Sequence, residues 1–496
     1  SCYLTCRRFT SQVWPKSADN RLDMACLERP LTPDLLTTHD KALAVNLKPD
    51  AYGTFAEIGA GQEVVRWFFR VGGAAGTISK SISAYDMQVS DAIYGKCKRY
   101  VCRDRLDSML DAEQSLNHSR LTEKRGANTA FFTFADTVSA RNFHGTNECH
   151  GWLGVRFQSA PGVPDSQITV HIRMLDNDNQ SQQEALGIVG VNLIYGSIIL
   201  TDDPDTLLAS LLDNLTPQRI EIDMIEFSGP HFSDVDNRIM ALRLVQLGFT
   251  GAAMFAADGS VVQPAEVLRK KSLVVARGRF RPITNVNIDM IRATKRQLAT
   301  DYHLNQSDVL PIMEITMRDL MQDGEVCLAD FISRAEVLET TGHMVMISDF
   351  FEFYRLAAFL FRCTNQPIGI TMGLGTMMNV FDDAYYETLE GGLLGSFGRL
   401  FRQALRLYVY PQKDQTTGVV DTVDTVKFNN PKDGLLDYLQ SIGSIVQLRD
   451  IKQEYLDILS TEVLQRIASG DSTWTSQVPE PVAEAIRTRR LFGYAA

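Results

Sequence analysis

The chain of 496 residues is 45% apolar and 22% charged, and its 49 basic and 60 acidic side chains give a formal net charge of −11. At roughly 100–200 residues per domain this length allows about two to four domains, and the composition excludes collagen-like, fibrous and intrinsically disordered classes. The negative charge disfavours a general electrostatic attraction to nucleic acid or to an anionic membrane. We therefore expect no nucleic acid among the partners.

Apolar stretches and cysteines disfavour two further classes. The best uncharged stretches, residues 185–201 and 363–381, are too short or too often interrupted by Gly and Pro for a membrane helix, which needs about 20 apolar residues. The chain has eight cysteines and no C-x-x-C motif. We expect a reducing compartment, no disulfide scaffold and no membrane span, with any membrane attachment made through protein partners.

The first 18 residues, SCYLTCRRFTSQVWPKSA, contain three basic side chains and no acidic one. Acid-poor segments with Arg and Ser are typical of organellar presequences. From Asp19 to Pro49 the chain has several prolines and little hydrophobic periodicity. Residues 1–49 are therefore predicted to form an irregular arm with a remnant of a targeting segment. We expect a mitochondrial or other organellar location, with the cytoplasm as the alternative.

Residues 50–215 are predicted to form a first α/β domain. A short strand at Tyr52–Ile58 precedes the helical pattern of Gln62–Val71, and residues 91–125 have the period of an amphipathic helix. Val- and Ile-rich runs then predict three strands, Thr129–Phe134, Gly151–Gln158 and Gln167–Leu175. The apolar run Glu184–Leu200 fits either a buried helix or a pair of strands.

Residues 216–412 are predicted to form a second α/β domain, and residues 413–496 a loop and a helical extension. Strand Arg219–Phe227, helix Arg238–Leu247 and strand Ala252–Ala256 follow one another closely, which favours a right-handed crossover unit. Further helices and strands are predicted at 326–339, 343–347, 349–362, 368–372, 385–405 and 407–410. The predicted fold class is α/β, with mixed or parallel sheets, crossover helices and at least two packed domains behind the N-terminal arm.

The best candidate for a ligand site is the turn FAEIGAG, which places Glu57, Gly59 and Gly61 between the first strand and the first helix. Glycines at such a turn allow the backbone to approach a phosphate or an adenosyl group that faces the helix N-terminus. The turn resembles the first motif of Rossmann-type methyltransferases, which implies that these three residues bind a cofactor such as S-adenosylmethionine. Gln62 and Glu63 replace a later glycine of that motif, and the alternative is an ordinary strand-to-helix turn.

Two histidine-containing segments are weaker candidates. His144, Glu148, Cys149 and His150 offer four metal-ligand side chains within seven residues, but no second cluster completes a tetrahedral site. We predict no metal there, and adjacent Cys149 and His150 do not suit a nucleophile and its base. His343 ends a Thr-Thr-Gly-His sequence like that of nucleotidylyltransferases, yet it leads into a strand rather than a helix. No catalytic residue is predicted.

Acidic residues surround the middle strand and the loop that follows it, Ser228–Asn237; they include Asp223, Glu226, Asp234 and Asp236. A loop at the carboxyl end of a parallel strand is where α/β folds bind ligands, and paired carboxylates there could hold Mg²⁺ or act as a base. The alternative is that Asp236 or Asn237 caps the following helix.

Longer segments of the chain resemble an uncharacterised, bacterial-type conserved protein family: AEIGAGQE (Ala56–Glu63), SISAYDM (Ser81–Met87), GTNECHGWLGVRFQ (Gly145–Gln158), EIDMIEFSGP (Glu221–Pro230) and MISDFFEFYRL (Met346–Leu356). The resemblance covers about Leu43 to Pro411. Members of that family have been labelled nicotinate- or nicotinamide-mononucleotide adenylyltransferase, or TonB-dependent receptor. The position of His343 before a strand and the α/β pattern agree with neither label, so the resemblance implies a shared fold rather than an activity.

These observations lead to two functional hypotheses. The lack of a complete catalytic motif favours a non-catalytic, or no longer catalytic, α/β accessory subunit of a larger organellar assembly, with protein partners. The polar loops favour the alternative, an enzyme or sensor that binds a nucleotide-like metabolite in a methyltransferase-like or nucleotidyltransferase-like manner. Its site would be the Gly59–Gly61 turn or the Ser228–Asn237 loop.

Overall fold

The computed structural model describes residues 36–322, 324–428 and 431–495. Two large β-sheets with helices packed against them dominate this part of the chain, one of mixed strand direction and one mostly parallel. The pairs β11-β12 and β16-β17 form two further, two-stranded sheets. The prediction of an α/β fold with mixed sheets is confirmed. None of the described helices is both long and apolar enough to cross a membrane.

The first sheet has six strands in the order β2-β1-β3-β4-β5-β6. Its strands and the helices of this part of the chain are α1 (Thr38–Asn46), β1 (Ala51–Gly59), α2 (Val64–Arg70), β2 (Ile78–Ala84), α3 (Met87–Tyr94), α4 (Arg103–Arg125), β3 (Ala130–Ser139), β4 (His150–Phe157), β5 (Ser166–Met174), α5 (Asn179–Ile199), α6 (Pro204–Ser210), β6 (Ile220–Ser228) and α7 (Asn237–Gln246). Strands β2, β1 and β3 are parallel, and β3 to β6 pair antiparallel.

Both faces of this sheet are buried, because helices pack against each of them. Consecutive residues of a strand point to opposite sides and so contribute to different cores. On β3, Ala135 joins the core formed with α4, whereas Phe134 joins the core formed with α5. The long apolar run that fitted either a helix or two strands is the single helix α5, most of whose residues are buried.

Helix α1 corrects the extent of the predicted irregular arm. Residues 1–35 lie outside the described residues, but Thr38–Asn46 is a helix whose N-cap Thr37 forms a capping box with Asp40. The buried Lys41 Nζ lies 2.7 Å from Asp213 Oδ2 and donates to Asn192 Oδ1 at 3.0 Å. These contacts place α1 in the first α/β unit.

The second sheet has eight strands in the order β18-β15-β14-β9-β10-β13-β7-β8. The elements of this part are β7 (Ala252–Phe255), β8 (Val261–Val262), α8 (Pro264–Leu268), β9 (Ser272–Arg277), α9 (Asn285–Asp301), β10 (Val309–Thr316), α10 (Met317–Leu320), β11 (Met321–Gln322), β12 (Glu325–Val326), α11 (Leu328–Glu339), β13 (Met344–Ser348), α12 (Phe353–Cys363), β14 (Ile368–Gly373), α13 (Leu374–Val380), α14 (Gly392–Leu400), β15 (Leu405–Tyr410), β16 (Gln412–Lys413), β17 (Val420–Asp421), α15 (Lys432–Ser441), β18 (Ile445–Gln447), α16 (Ser460–Ser469) and α17 (Glu480–Arg489).

Six strands of the second sheet, β9, β10, β13, β14, β15 and β18, are parallel. Numbered among themselves in chain order, they run 6-5-4-1-2-3 across the sheet, which is the doubly wound order of Rossmann-type domains. The order reverses between β9 and β14. Helices α9 and α11 share a core on one face, and α12, α13 and α14 share one on the other.

The predicted crossover from β6 through α7 to β7 is wrong. Strand β6 pairs antiparallel with β5 in the first sheet, whereas β7 pairs antiparallel with β13 in the second. The chain thus passes from one sheet to the other between Ser228 and Ala252, and β18, in the predicted C-terminal extension, completes the second sheet.

Candidate functional site

A cavity of about 260 Å³ lies beyond the carboxyl ends of β9, β10, β13 and β14. In doubly wound sheets ligands bind at this edge, where the strand order reverses and neighbouring loops diverge. The lining comes from the segments that follow these four strands, and we call this space the switch-point cavity. It contains three arginines, two acidic residues and an aromatic wall: Arg277, Arg279, Arg318, Asp319, Glu352, Phe351, Tyr385 and Tyr386.

The floor of the cavity is an ion pair that joins three strands. Arg277, the last residue of β9, donates to Glu314 on β10 through two parallel hydrogen bonds of 2.9 Å. Ser348, at the end of β13, donates to the same carboxylate at 2.6 Å. Glu314 is fully buried, and Arg277 also donates to the carbonyl oxygen of Phe351 at 2.7 Å. This bidentate geometry fixes the guanidinium group in one orientation.

The mouth of the cavity is a row of planar groups in contact with one another. The guanidinium of Arg318 lies 4.2 Å from the ring centroid of Phe351, and that ring lies 5.0 Å from the ring of Tyr385. Arg279, which is largely exposed, lies 3.4 Å from Asp319. Asp319 in turn accepts a hydrogen bond from Thr316 Oγ1 at 2.8 Å. Two positive side chains and two aromatic rings therefore face the entrance.

The wall of the cavity holds a carboxylate oxygen with unused hydrogen-bonding capacity. Glu352 Oε2 is buried and accepts no hydrogen bond from the described residues, although Arg355 Nη1 lies 3.6 Å away. A buried acceptor without a donor costs free energy unless a further group supplies one. A bound molecule with an N–H or O–H group would do so.

The turn predicted as a cofactor site is filled by the chain's own carboxyl groups. Glu57 Oε1 and Oε2 accept hydrogen bonds from the backbone N–H groups of Val64 and Val65, at 2.9 and 3.4 Å. They occupy the N-terminus of α2, where a phosphate would have to bind. A Cβ on Gly61 would lie 2.0 Å from Asp136 Oδ1, so that carboxyl group packs directly on the turn.

Both carboxyl groups of this turn titrate abnormally. Burial raises the pKa of Glu57 to about 8, against the weaker opposing effect of its two backbone hydrogen bonds. Burial and then the charge of Glu57 raise the pKa of Asp136 well above its ordinary value. Gly59 has φ +75°, and a Cβ at this position would lie 2.5 Å from the carbonyl oxygen of Val138. Cofactor binding by Glu57, Gly59 and Gly61 stays a prediction, and none of the three lines the switch-point cavity.

The Ser228–Asn237 loop uses its polar side chains within the fold. Asp236 accepts a hydrogen bond from the Arg238 N–H at 2.9 Å and is the N-cap of α7. The amide of Asn237 bridges the backbone N–H and C=O of Phe227. The capping alternative is therefore confirmed, and no residue of this loop lines the switch-point cavity.

The histidine candidates lie in different surroundings. His144 and Glu148 are exposed, whereas His150 begins β4 and lies 3.0 Å from the ring nitrogen of His171. In the part of the chain that the structure describes, no group of three or more His, Cys, Asp or Glu residues is arranged to hold a metal ion. His343 precedes β13 at the amino end of that strand, opposite the edge that carries the cavity.

None of the arginines of the switch-point cavity was predicted from the sequence. No element was predicted between residues 263 and 325, where the structure has β9, α9 and β10. A strand–helix–strand pattern could have been predicted there, because the apolar runs of β9 and β10 flank a helix of 17 residues. An Arg-Gly-Arg sequence, which begins at the last residue of β9, marks the first turn of the doubly wound sheet.

Comparisons with known proteins give no family assignment: no family model matches the chain, and no curated protein matches it. Among solved structures, a competence-damaged protein (CinA) superfamily protein from Enterobacter cloacae is 12% identical, covers 33% of this chain and 92% of its own, and has a TM-score of 0.25. A competence/damage-inducible protein from Agrobacterium tumefaciens is 12% identical, covers 32% and 93%, and has a TM-score of 0.24. A putative nicotinate-nucleotide adenylyltransferase from Vibrio parahaemolyticus is 10% identical, covers 45% and 97%, and has a TM-score of 0.20. Similarities of this size carry no functional argument.

Proposed function

We propose that the protein binds a nucleotide-like metabolite, a small molecule with a planar ring and a phosphate or carboxylate group, in the switch-point cavity. The observation that carries this proposal is the contact of Arg318 with the Phe351 ring, and of that ring with Tyr385, at the open edge of a doubly wound sheet. The hypothesis of a metabolite-binding protein is thereby retained, and its site moves from the two loops favoured by the sequence to the carboxyl edge of the second sheet.

Each part of such a ligand has a counterpart in the cavity. Aromatic rings interact best at centroid separations of about 4.5–7 Å, so Phe351 and Tyr385 suit a planar heterocycle. Guanidinium groups bind phosphate and carboxylate through paired hydrogen bonds, which is the role of Arg279 and Arg318. Glu352 Oε2 accepts from a ring amine or a ribose hydroxyl.

The mode of binding differs from that of dinucleotide-binding proteins. Those proteins hold a pyrophosphate at a glycine-rich turn and at the N-terminus of the first helix. Here Gly278 is followed by Arg279-Phe280-Arg281-Pro282, and the N-terminus of α9 is closed by a capping box between Thr284 and Asn287. Arginine side chains replace the helix N-terminus as the anion-binding groups, and a cavity of about 260 Å³ suits a mononucleotide better than a dinucleotide.

The test is calorimetric titration of the full chain with AMP, ATP and S-adenosylmethionine, with adenosine and inorganic phosphate as partial ligands. We expect saturable binding of at least one complete ligand and weaker binding of each partial one. Because a ligand at 100 times its Kd stabilises a protein by about 2.7 kcal/mol, thermal unfolding should show the same order.

Matched variants locate the binding. Arg318→Ala and Tyr385→Ala should each weaken binding about tenfold or more, through loss of a charged contact and of a stacking contact. Arg120→Ala, on an exposed position of α4, is the control and should bind as the wild type does. Absence of binding across the panel, or equal binding by Arg318→Ala and the wild type, would contradict the proposal.

We also propose protein partners, through the exposed apolar side chains around α3. Tyr85, Met87 and Val89 are 80%, 56% and 50% exposed, and contiguous exposed apolar groups are typical of interaction surfaces. Membership of a mitochondrial or other organellar assembly rests on the composition of residues 1–18 alone. Native gel mobility of the chain in an organelle extract, with and without Val89→Asp, tests the surface. Imaging of a fluorescent fusion without residues 1–18 tests the location, and unchanged results would contradict each proposal.

A further inference from the structure

A second cavity, of about 200 Å³, lies between the two α/β units. From the first unit it receives Arg99, Glu148 and the ends of β4 and β5, and from the second the segment around α8 and the end of α12. We call it the inter-sheet cavity. It shares no lining residue with the switch-point cavity, so it is a separate space.

The inner end of this cavity is a chain of hydrogen bonds across three adjacent strands. Asp223 on β6 lies 2.5 Å from Nδ1 of His171 on β5, and Nε2 of His171 lies 3.0 Å from Nδ1 of His150 on β4. The second unit completes the chain, because Gln263 Nε2 donates to the other oxygen of Asp223 at 2.9 Å. Asp223 and His171 are buried, and His150 reaches the cavity.

The partners of Asp223 favour its ionised form. Burial opposes ionisation of Asp223, but the charge and hydrogen bonds of His171 and Gln263 prevail and hold its pKa below the ordinary value. The contact to His171, at 2.5 Å, is shorter than the one to Gln263.

His150 stays uncharged at neutral pH. Burial, and next the charge of His171, lower the pKa of His150 to about 4. A neutral imidazole donates from one ring nitrogen and accepts at the other. No hydrogen bond to His150 Nε2 is formed by the residues that the structure describes, so this nitrogen remains available to a molecule in the cavity.

Arginines outnumber acids on the remaining walls. Four guanidinium groups line the cavity, from Arg99, Arg173, Arg269 and Arg362, against the carboxylates of Glu148 and Glu266. Arg173 and Arg362 share the single carboxylate of Glu221, at 2.5 and 3.0 Å, so two positive charges meet one negative charge there.

The rim adds further positive charge. Arg99 lies 3.7 Å from Glu266, and Arg269 makes no ion pair within the described ranges. Burial raises the pKa of the Cys363 thiol to about 12, so this side chain is neutral and does not repel an anion. The donors that face the cavity thus exceed the acceptors.

We propose that the inter-sheet cavity binds a small oxyanion, the phosphate or carboxylate group of a compact metabolite, with His150 Nε2 as the inner contact and the arginines as the donors. The volume of about 200 Å³ is smaller than the 260 Å³ of the switch-point cavity and suits a more compact ligand. Because groups from both units contact it, the bound anion also joins the two units.

The test is calorimetric titration at pH 7.0 and constant ionic strength, with the full chain carrying Arg318→Ala so that the switch-point cavity is impaired. Inorganic phosphate and glycerol 3-phosphate represent the phosphate source, and succinate the carboxylate source. We expect saturable binding of at least one probe, and the probe that binds identifies the source. Binding in this background does not depend on the function proposed for the switch-point cavity.

Variants with opposite expected effects separate binding from structural damage. His150→Ala and Arg269→Ala should each weaken binding about tenfold, the equivalent of one charge-assisted hydrogen bond. Glu148→Gln, which removes a negative charge from the rim, should tighten it, and a damaged fold would not bind more tightly. Arg120→Ala is the control for loss of a distant positive charge.

A second readout is the NMR signal of the His150 imidazole, which should shift on addition of the bound probe. Absence of saturable binding by all three probes would overturn the proposal. So would His150→Ala and Arg269→Ala proteins that bind as tightly as their parent.

Discussion

The two sheets place a pair of polar side chains at equivalent points, and the two pairs behave in opposite ways. In the first sheet Glu57 on β1 is the direct neighbour of Asp136 on the parallel strand β3. In the second, Arg277 on β9 is the direct neighbour of Glu314 on the parallel strand β10. Both pairs lie near the carboxyl ends of their strands. One is a pair of like charges, and the other is a pair of opposite charges.

The difference decides which edge is open to a ligand. Two neighbouring carboxyl groups in a buried site cannot both ionise, so the first edge carries groups with raised pKa values and closes over them. In the Arg277–Glu314 pair, by contrast, each charge compensates the other. Its loops diverge and leave Arg279, Arg318 and the aromatic rings facing a cavity. Position at the end of a parallel strand is therefore insufficient for a ligand site, and the sign of the neighbouring charges matters as well.

Removal of one member of the opposite-charge pair should have the largest effect. Glu314→Ala leaves Arg277, which is only 12% exposed, without its carboxylate and leaves Ser348 without its acceptor. Loss of one partner of such a pair costs about 3–5 kcal/mol. Urea denaturation followed by circular dichroism should show this decrease in the free energy of unfolding.

The control for this change is Glu462→Ala, which removes an exposed carboxylate 3.0 Å from Arg466. Exposed pairs contribute little, so this variant should unfold nearly as the wild type does. A decrease below about 1 kcal/mol for Glu314→Ala would show that the Arg277 guanidinium finds other partners and that the pair does not organise the open edge.

Removal of one member of the like-charge pair should raise the free energy of unfolding instead of lowering it. In the folded state Asp136 holds a proton that the unfolded chain releases above about pH 4. This difference lowers the free energy of unfolding as pH rises, by up to about 1.4 kcal/mol per pH unit. Asp136→Asn removes that cost and places an amide where the Asp136 side-chain oxygens accept no hydrogen bond from the described residues. We expect a net gain of about 1–3 kcal/mol in the free energy of unfolding at pH 8, shrinking towards pH 5.

The sign of the wild-type pH dependence follows from the same pair. The pKa of Glu57 in the folded state, about 8, lies above its ordinary value, so its favourable contribution is complete below about pH 4.5 and is lost as pH rises towards 8. His150, with a pKa lowered by burial to about 4, acts in the other direction between pH 6.5 and 4. The difference between Asp136→Asn and the wild type, measured from pH 5 to 8, isolates the acid pair. A difference independent of pH would contradict the raised pKa of Asp136.

The sequence predicted local elements better than their pairing. Strand β1, helix α7 and strand β7 were located to within a few residues, because hydrophobic period and turn residues are local signals. The crossover was wrong, because the choice of β5 rather than β7 as the partner of β6 depends on residues far apart in the chain. The switch-point cavity was missed for the same reason. Its lining residues are far apart in the chain and come together only because β9, β10 and β13 lie side by side.

The smallest effect concerns the turn that closes the first edge. Gly61→Ala places a Cβ 2.0 Å from Asp136 Oδ1, and a buried carboxyl group packed against the core can move only at a cost. Overpacking of this kind costs about 1–2 kcal/mol. The matched control is Gly434→Ala in helix α15, where a Cβ meets nothing within 4 Å and alanine should stabilise the helix by about 0.5–1 kcal/mol. Thermal unfolding of both variants measures the difference. If Gly61→Ala unfolded at or above the wild-type temperature, the turn would have room for a further group, and the first edge would again be a candidate for the cofactor predicted at Glu57, Gly59 and Gly61.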